Sequence, residues 1–453
     1  MCLERMGSFH GGYAKIMSLD GPMNIFWFRR DLRLNDNHGL YRALKDGGNV
    51  QPVFIFDTNI LTKLEDKDDR RVTFLFDQVA SLDQQLRSYG SSLMVLHGDP
   101  LQVFRKLIKD HAIKEVYTNH DHEPYALERD QTIHDFLVEN GSAFHTFKDQ
   151  TLFERDEVLK NDGKPYTVFT PYSKQWKMRM TAEGVPVHKS EDELDGLWKG
   201  AQQKMVSLQQ LGFDRAVYNV ASTEPEPSLL KAYAKDRNTP SVQGTSRIGV
   251  HLRFGTVSVR EMVHLAEANS QTWLNELIWR EFFMQILWHF PHVERNAFRP
   301  AYDAIQWRDD EAGFARWCEG RTGYPLVDAG MRELRATGFM HNRVRMVVAS
   351  FLCKHLLIDW RWGEAWFARW LMDYDLSSNN GNWQWAAGCG CDAAPYFRVF
   401  NPTLQLERFD PKWKYVLKWA PEYGELTLPM PIVDHKAARE RAISVYKAAL
   451  TTR

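Results

Sequence analysis

The sequence predicts an α/β domain built on a parallel sheet, followed by a domain that is helical nearly throughout. Three observations carry this reading. Apolar strand-like runs alternate with helical segments as far as residue 150, the rhythm is lost between 151 and 225, and from 226 to 453 the apolar periodicity is helical. With 453 residues the chain has room for two or three domains.

The elements follow in order. Residues 1–22 have no apolar stretch of the kind a secretory leader carries and read as a flexible extension, with Met23 opening the first structured element. Strand runs then appear at 23–28 (MNIFWF), 51–56 (QPVFIF), 92–97 (SLMVLH), 115–118 (EVYT) and 143–147 (AFHTF). The clearest intervening helix is 72–89, where Phe74, Leu75, Val79, Leu82 and Leu86 keep helical spacing and Gly90 marks the stop. Strand–helix alternation over 23–150 implies a parallel sheet covered on both faces. No G-x-G-x-x-G follows the first strand, so the dinucleotide fingerprint is missing, and a ligand of this domain belongs at the carboxyl ends of the strands. Residues 151–225 are polar, with turn signals at Asn161-Asp-Gly-Lys and Thr223-Glu-Pro-Glu-Pro-Ser, and read as an inter-domain connection wrapped on the surface. Beyond 226, segments 273–290 and 329–357 read as long, mostly buried helices.

Composition excludes several classes. Hydrophobic residues at 44% and charged residues at 25% exclude a disordered chain. No apolar run reaches the roughly 18 residues of a membrane span. Five cysteines (Cys2, Cys318, Cys353, Cys389, Cys391) are too scattered for a disulfide framework, and Cys389-Gly-Cys391 has no second pair at metal-site spacing, so no metal is expected and a reducing, cytoplasmic location is. The net charge of −1 conceals an acidic first half and a basic second half, in which arginine outnumbers lysine 21 to 8. Arginine suits phosphates and stacked surfaces, which leans toward an anionic partner, although a solvated mixed surface reads equally well. Thirteen of the 16 tryptophans fall between Trp273 and Trp419, either as an aromatic core or as rings used for stacking and electron transfer.

Four constellations stand out. Gly244-Thr-Ser-Arg-Ile-Gly249 places hydroxyls and an arginine before an apolar helix, which suits either an anion at a helix N-terminus or plain capping. In the helix containing Asn275-Glu-Leu-Ile-Trp-Arg280, Glu276, Trp279 and Phe283 share a face; a carboxylate there is either a raised-pKa group in a pocket or half of an Arg–Glu pair. In His341-Asn-Arg-Val-Arg-Met346, the i, i+3, i+4 spacing puts Asn342, Arg345 and Met346 on one face, like a pocket wall. Asp373–Trp385 gathers two acids, three asparagines and two indoles, and the two-residue spacing of Trp383 and Trp385 sends their rings to different neighbours. Trp362, Trp366 and Trp370 form a helical stripe of the kind that packs a core, whereas Trp307 and Trp360 follow no packing pattern.

Together these residues resemble the photolyase/cryptochrome family. The resemblance runs from Met23 to about Pro421 through W-F-R-R-D-L-R-L-N-D-N (27–37), Y-T-V-F-T-P-Y (166–172), G-T-S-R-I-G (244–249), N-E-L-I-W-R-E-F (275–282), G-R-T-G-Y-P-L-V-D-A-G-M-R (320–332), H-N-R-V-R-M (341–346) and N-N-G-N-W-Q-W (379–385). It implies an antenna-type, Rossmann-like α/β domain joined to an all-α domain that binds FAD and DNA. Among family members the chain looks most like microbial class I-type enzymes that repair cyclobutane pyrimidine dimers. The family's FAD contacts carry over to Tyr233, Thr245, Ser246, Arg247, Arg280, Arg345, Asp373, Asp375 and Asn379, with Asn379 near the reactive flavin nitrogen. The dimer pocket carries over to Glu276, Asn342, Met346, Trp279 and Trp385, the phosphate contacts to Arg343 and Arg398, and the photoreducing tryptophan chain to Trp383, Trp360 and Trp307.

The implied chemistry is electron donation from excited, reduced anionic FAD to a dimer flipped out of UV-damaged DNA by a monomeric protein. A second, antenna chromophore is implied without its identity: where folate-binding members have Asn-Glu this chain has Tyr125-Ala126, which leaves a deazaflavin, a flavin or none. A cryptochrome-like photoreceptor and a (6-4) photoproduct photolyase are the alternatives; the latter relies on pocket histidines, and His341 lies beside the pocket motif.

Overall fold

The computed structural model describes residues 23–200, 204–425 and 429–451. The expected extension at 1–22, with Cys2, lies outside the described residues.

Five strands, β1 (Met23–Phe28), β2 (Val50–Asp57), β3 (Met94–Gly98), β4 (Ile113–Asn119) and β5 (Ala143–Phe147), form one sheet in the order β3-β2-β1-β4-β5. Every pairing is parallel. Alternation of side chains splits the central strands between two cores. Phe26, Phe28, Phe54 and Phe56 pack on one face, and Ile25, Trp27, Val53 and Ile55 on the other. Both faces are covered, which is why β1 and β2 are buried throughout. The covering helices are α1 (His38–Arg42), α2 (Arg70–Ser88), α3 (Pro100–Asp110) and α4 (Pro124–Glu139). Asp69 and Asp99 cap α2 and α3 by accepting the Arg71 and Gln102 amides.

The segment expected to wrap on the surface does more than connect. It contains α5 (Phe169–Glu183), and its Leu152, Phe153, Tyr172, Trp176 and Met180 are buried in one core cluster with Trp273, Leu277, Ile278 and Phe282. Trp176 Nε1 donates to Glu281 Oε2 at 2.6 Å. Polar composition hid this because its few large apolar side chains do the packing.

The helical region comprises α6 (Pro227–Asp236), α7 (Gly249–Phe254), α8 (Val259–Asn269), α9 (Gln271–His289), α10 (Glu311–Cys318), α11 (Pro325–Thr337), α12 (Asn342–Ser350), α13 (Trp360–Trp370), α14 (Leu376–Ala387), α15 (Pro402–Phe409), α16 (Lys414–Trp419) and α17 (His435–Thr451). The expected helix at 273–290 is α9. The expected single helix at 329–357 is instead interrupted. Gly338 ends α11 in the left-handed conformation, His341 caps α12 with an extended backbone, and Phe351–Leu356 continues as a π-helix. Apolar residues continue through the interruption because both helices bury side chains in the same core cluster.

A buried ion cluster ties the two regions together. Asp149 Oδ2 accepts Arg33 Nη2 and Asp149 Oδ1 accepts Arg260 Nη2, both at 2.8 Å, and Arg260 Nε donates to Asp36 Oδ2 at 2.9 Å. All four side chains are 4% exposed or less. Burial disfavours the Asp149 charge, yet Arg33 and Arg260 hold its pKa down to about 2.

Candidate functional site

Two adjoining cavities lie among α12, α14 and the segment after α14. The first, about 600 Å³ of space including its mouth, is lined by Asn342, Arg345 and Met346 of α12, by Asp373, Tyr374 and Asp375, by Ser378, Asn379, Asn382, Trp383 and Trp385 of α14, and by Phe367 and Leu371. The pocket wall expected on α12 is therefore one wall of this cavity. The second, about 610 Å³, is lined by Asn238, Arg343, Met346, Trp385, Arg398, Phe400, Gln405, Arg408 and Phe409. Met346 and Trp385 line both.

Local sequence positions these groups. Asp375 caps α14, its Oδ1 accepting the Ser378 amide at 3.2 Å, so the first turns of α14 turn Ser378, Asn379 and Asn382 to the first cavity. Asn379 Nδ2 donates to Glu364 Oε1 (2.8 Å) and to the Glu364 carbonyl (3.1 Å). Burial raises the pKa of Glu364. Arg345 Nη2 pairs with Asp373 Oδ2 at 3.0 Å. Gly249 lets the 244–249 loop approach this pair, since a Cβ there would sit 3.1 Å from the Asp373 Cβ. Within that loop Arg247 has φ 53° and lays its guanidinium 4.2 Å from the Phe339 ring, and Ser246 Oγ accepts Trp273 Nε1 at 3.2 Å. Thr245 is half-buried there, and Tyr233 is buried under Arg237, 5.5 Å from its ring.

Arg280 donates to the backbone carbonyls of Gln150 and, at 3.3 Å, Leu252. Burial pulls its pKa down to about 10 despite nearby Asp375. A guanidinium so withdrawn from water suits an anionic ligand.

The structure does not bring every expected pocket residue together. Glu276 and Trp279 line neither cavity, and of the expected FAD contacts Tyr233, Thr245, Ser246, Arg247 and Arg280 also lie outside both, leaving Arg345, Asp373, Asp375 and Asn379 on the first. Glu276 is paired with Arg237 across to the segment after α6, next to Asn238. Burial raises its pKa and Arg237 lowers it; the Arg–Glu pair is present, while the pocket of the other reading is not one of these two cavities. Trp279 stacks face to face on Phe169 of α5, with centroids 3.6 Å apart and 3° between planes. Arg343 donates to Asn238 Oδ1 at 2.7 Å and covers the Phe409 ring at 4.4 Å. Arg398 is exposed.

Of the three chain tryptophans, Trp383 and Trp360 are buried and Trp307 is half-buried in the same core cluster. Trp383 presses on α13 at Gly363, where a Cβ would lie 2.1 Å from the indole. Trp360 begins that helix beneath Arg361, and Trp307 meets Tyr446 edge-on at 5.8 Å. Trp362 and Trp366 pack edge-on around Phe314, and Trp366 meets Trp370 at 5.7 Å, as the packing reading expected.

Sequence reasoning missed Tyr374, Ser378, Asn382 and Glu364 around the first cavity, and Asn238, Gln405 and Arg408 around the second. The i, i+4 spacing of Ser378 and Asn382 was an available signal; Glu364 and Asn238 gave none, because their relation to the site is purely tertiary.

Residues 24–191 match the family model for DNA photolyase, and residues 273–428 match the model for the FAD binding domain of DNA photolyase. The chain is 38% identical to a deoxyribodipyrimidine photo-lyase of Halobacterium salinarum over 94% of its own length and 99% of the relative's. It belongs to the photolyase/cryptochrome family. Solved structures agree with this photolyase-family fold. A class III photolyase from Agrobacterium tumefaciens superposes with a TM-score of 0.82 at 33% identity, covering 97% of this chain and 100% of the other. An archaeal photolyase from Sulfolobus tokodaii, described with two FAD molecules, superposes at 0.80 and 34% identity, covering 94% and 99%.

Residues 273–428 of this photolyase-family chain are thus an FAD-binding domain, and the first cavity offers groups that suit part of the cofactor. Its amides, Arg345 and two carboxylates provide donors and acceptors for a heterocycle edge, while Phe367, Leu371 and Trp383 provide an apolar wall.

Proposed function

We propose that this protein repairs cyclobutane pyrimidine dimers in DNA, driven by light. The observation that carries the reading is the pair of cavities sharing Met346 and Trp385: a cofactor-type cavity beside a bay rimmed by Arg343, Arg398 and Arg408. When bound in the first cavity, FAD supplies light absorption and the transferred electron.

The chain's own residues do the rest. Asp373, Asp375, Arg345 and Asn379 would hold the cofactor's polar edge, while Tyr233, Thr245, Ser246, Arg247 and Arg280 would hold its phosphates and remaining polar groups. Asn342, Met346 and Trp385 would separate the bound cofactor from the dimer, Met346 and Trp385 facing both cavities. Arg343 and Arg398 hold flanking phosphates, so that the flipped-out dimer, cheap to unstack because it is already distorted, enters the second cavity. Glu276, paired with Arg237, would stabilise charge growing on the dimer carbonyls, and Trp279, stacked flat on Phe169, would offer an indole wall for the splayed bases. Trp383, Trp360 and Trp307, in one core cluster, would serve as the relay through which the bound cofactor is photoreduced.

No histidine lines either cavity. His341 faces its own helix, Nδ1 accepting the Arg343 amide at 3.1 Å, and burial lowers its pKa to about 4. This favours dimer repair over (6-4) chemistry. Among the described residues no helix is long and apolar enough to cross a membrane, and the protein acts as a monomer.

A second chromophore, supported by the two FAD molecules of the Sulfolobus tokodaii relative, fits the carboxyl edge of the sheet. There the guanidiniums of Arg29 and Arg129 each lie 4.9 Å from the Trp27 ring, and Tyr125 donates to Asp57 Oδ2 at 2.6 Å.

The test is an oligonucleotide carrying one thymine dimer, mixed with protein holding reduced FAD and illuminated with blue light. Recovery of intact-thymine absorbance in light and none in darkness is the expected result. No recovery in light overturns the proposal.

A further inference from the structure

In an open parallel sheet, the point where strand order reverses is the usual ligand crevice. Here that point lies between β1 and β4. The loops leaving these strands carry Arg30, Asp121 and Glu123, and the side chains meet the helical domain. Arg30 Nη1 donates to Asp121 Oδ1 at 3.1 Å and to Glu123 Oε1 at 3.0 Å, and its Nη2 donates to Asp375 Oδ2 at 2.6 Å. Arg30 Nε reaches the Arg253 carbonyl at 3.2 Å. Arg253 in turn donates to Glu123 Oε1 at 2.6 Å and stands 3.7 Å from Asp375 Oδ2.

Asp375 is therefore held by both of its oxygens. Oδ1 caps α14 through Ser378, and Oδ2 is anchored by an arginine from the other domain. Burial alone would neutralise it, but Arg30, Arg253 and Arg280 keep its pKa down to about 2, so the group lining the cavity is a carboxylate. Domain docking has a separate device in the buried Arg33–Asp149–Arg260–Asp36 cluster. The Arg30 contact is the one directed at a cavity wall.

We propose that Arg30 is a positioning residue for the FAD cavity, acting from the sheet domain through Asp375 to fix that carboxylate and the first turn of α14. The proposal rests on reading the first cavity as the FAD site. Loss of Arg30 removes the cation bonded to Asp375, which makes the surroundings of the cofactor more negative and disfavours its electron-rich form.

The experiment measures FAD dissociation from the holoprotein and the midpoint potential of the bound flavin in Arg30→Met, Arg30→Lys, Asp375→Asn and the double variant Arg30→Met/Asp375→Asn. Arg30→Met is expected to weaken FAD binding roughly tenfold and lower the potential, and Arg30→Lys, which keeps the charge, to restore the potential. In the double variant FAD affinity is expected to fall no further than in Asp375→Asn alone, because Arg30 acts through that carboxylate. Additive losses overturn the proposal. So does a lowered melting temperature in Arg30→Met with FAD affinity and potential unchanged, which assigns Arg30 to domain docking alone. Failure of the unsubstituted protein to bind FAD overturns the reading of the cavity itself, and is read before any variant is compared.

Discussion

Glu276 is pulled in opposite directions. Burial favours its protonated form and Arg237 favours the carboxylate. The sequence made the first pull legible, since a carboxylate stood on an apolar helix face. The second was not legible, because Arg237 is 39 residues away and only the packing of α6 against α9 brings it close. If protonated Glu276 assists repair, removing the side chain costs a hydrogen bond to developing charge, about 1.5 kcal/mol or roughly a tenfold loss of repair per absorbed photon. Glu276→Ala is therefore expected to retain FAD, seen by its absorbance, and to lose about that much repair. Arg237→Met checks the sign. With its cation gone, the Glu276 pKa rises further, so the protonated form persists to higher pH and the alkaline fall of the repair profile moves upward. A downward move, or loss of FAD from Glu276→Ala, makes the residue structural.

Element boundaries show which physics the sequence exposes. The sheet strands and α2 follow from period and capping residues, which are local, and the sequence placed them. The interruption between α11 and α12 and the π-helix at 351–356 depend on tertiary contacts, and a continuous apolar period concealed them. The π-helix buries Lys354 with no carboxylate within ion-pair distance among the described residues. Its Nζ donates to the Ala387 carbonyl at 2.8 Å and lies 3.6 Å from the Tyr446 ring. Burial lowers its pKa to about 7. A lysine whose folded pKa lies below its unfolded value contributes stability that is present above the unfolded pKa, near 10.4, and is lost as pH falls through about 7. Met fills the same volume, and Tyr446 Oη still donates to the Ala387 carbonyl. Lys354→Met is thus expected to be more stable than the parent at pH 6 by about 1–4 kcal/mol, with the advantage shrinking at pH 9. Denaturant unfolding at the two pH values measures it, and equal differences at both remove the titrating role.

At the scale of the molecule, charge is distributed rather than summed. A net charge of −1 gives no attraction for DNA as a whole, and the arginine-rich second half suggested an anionic partner without indicating where it binds. The fold places Arg343, Arg398 and Arg408 on the rim of one cavity while other arginines are consumed in ion pairs: Arg30 and Arg253 at the domain junction, Arg33 and Arg260 around Asp149. Pairing of this kind joins residues more than a hundred positions apart, so the sequence could not separate free arginines from spent ones. Rim arginines that neutralise phosphates release counterions on binding, and each contributes about one unit to the slope of log K against log salt concentration. Arg343→Ala and Arg398→Ala are therefore each expected to weaken binding to dimer-containing duplex and to reduce that slope by about 1. Arg105→Ala, on the exposed side of α3 in the sheet domain, is expected to leave the slope unchanged. Binding titrations across a salt series decide the matter, and an unaltered slope in both rim variants places the phosphate contacts elsewhere on the surface.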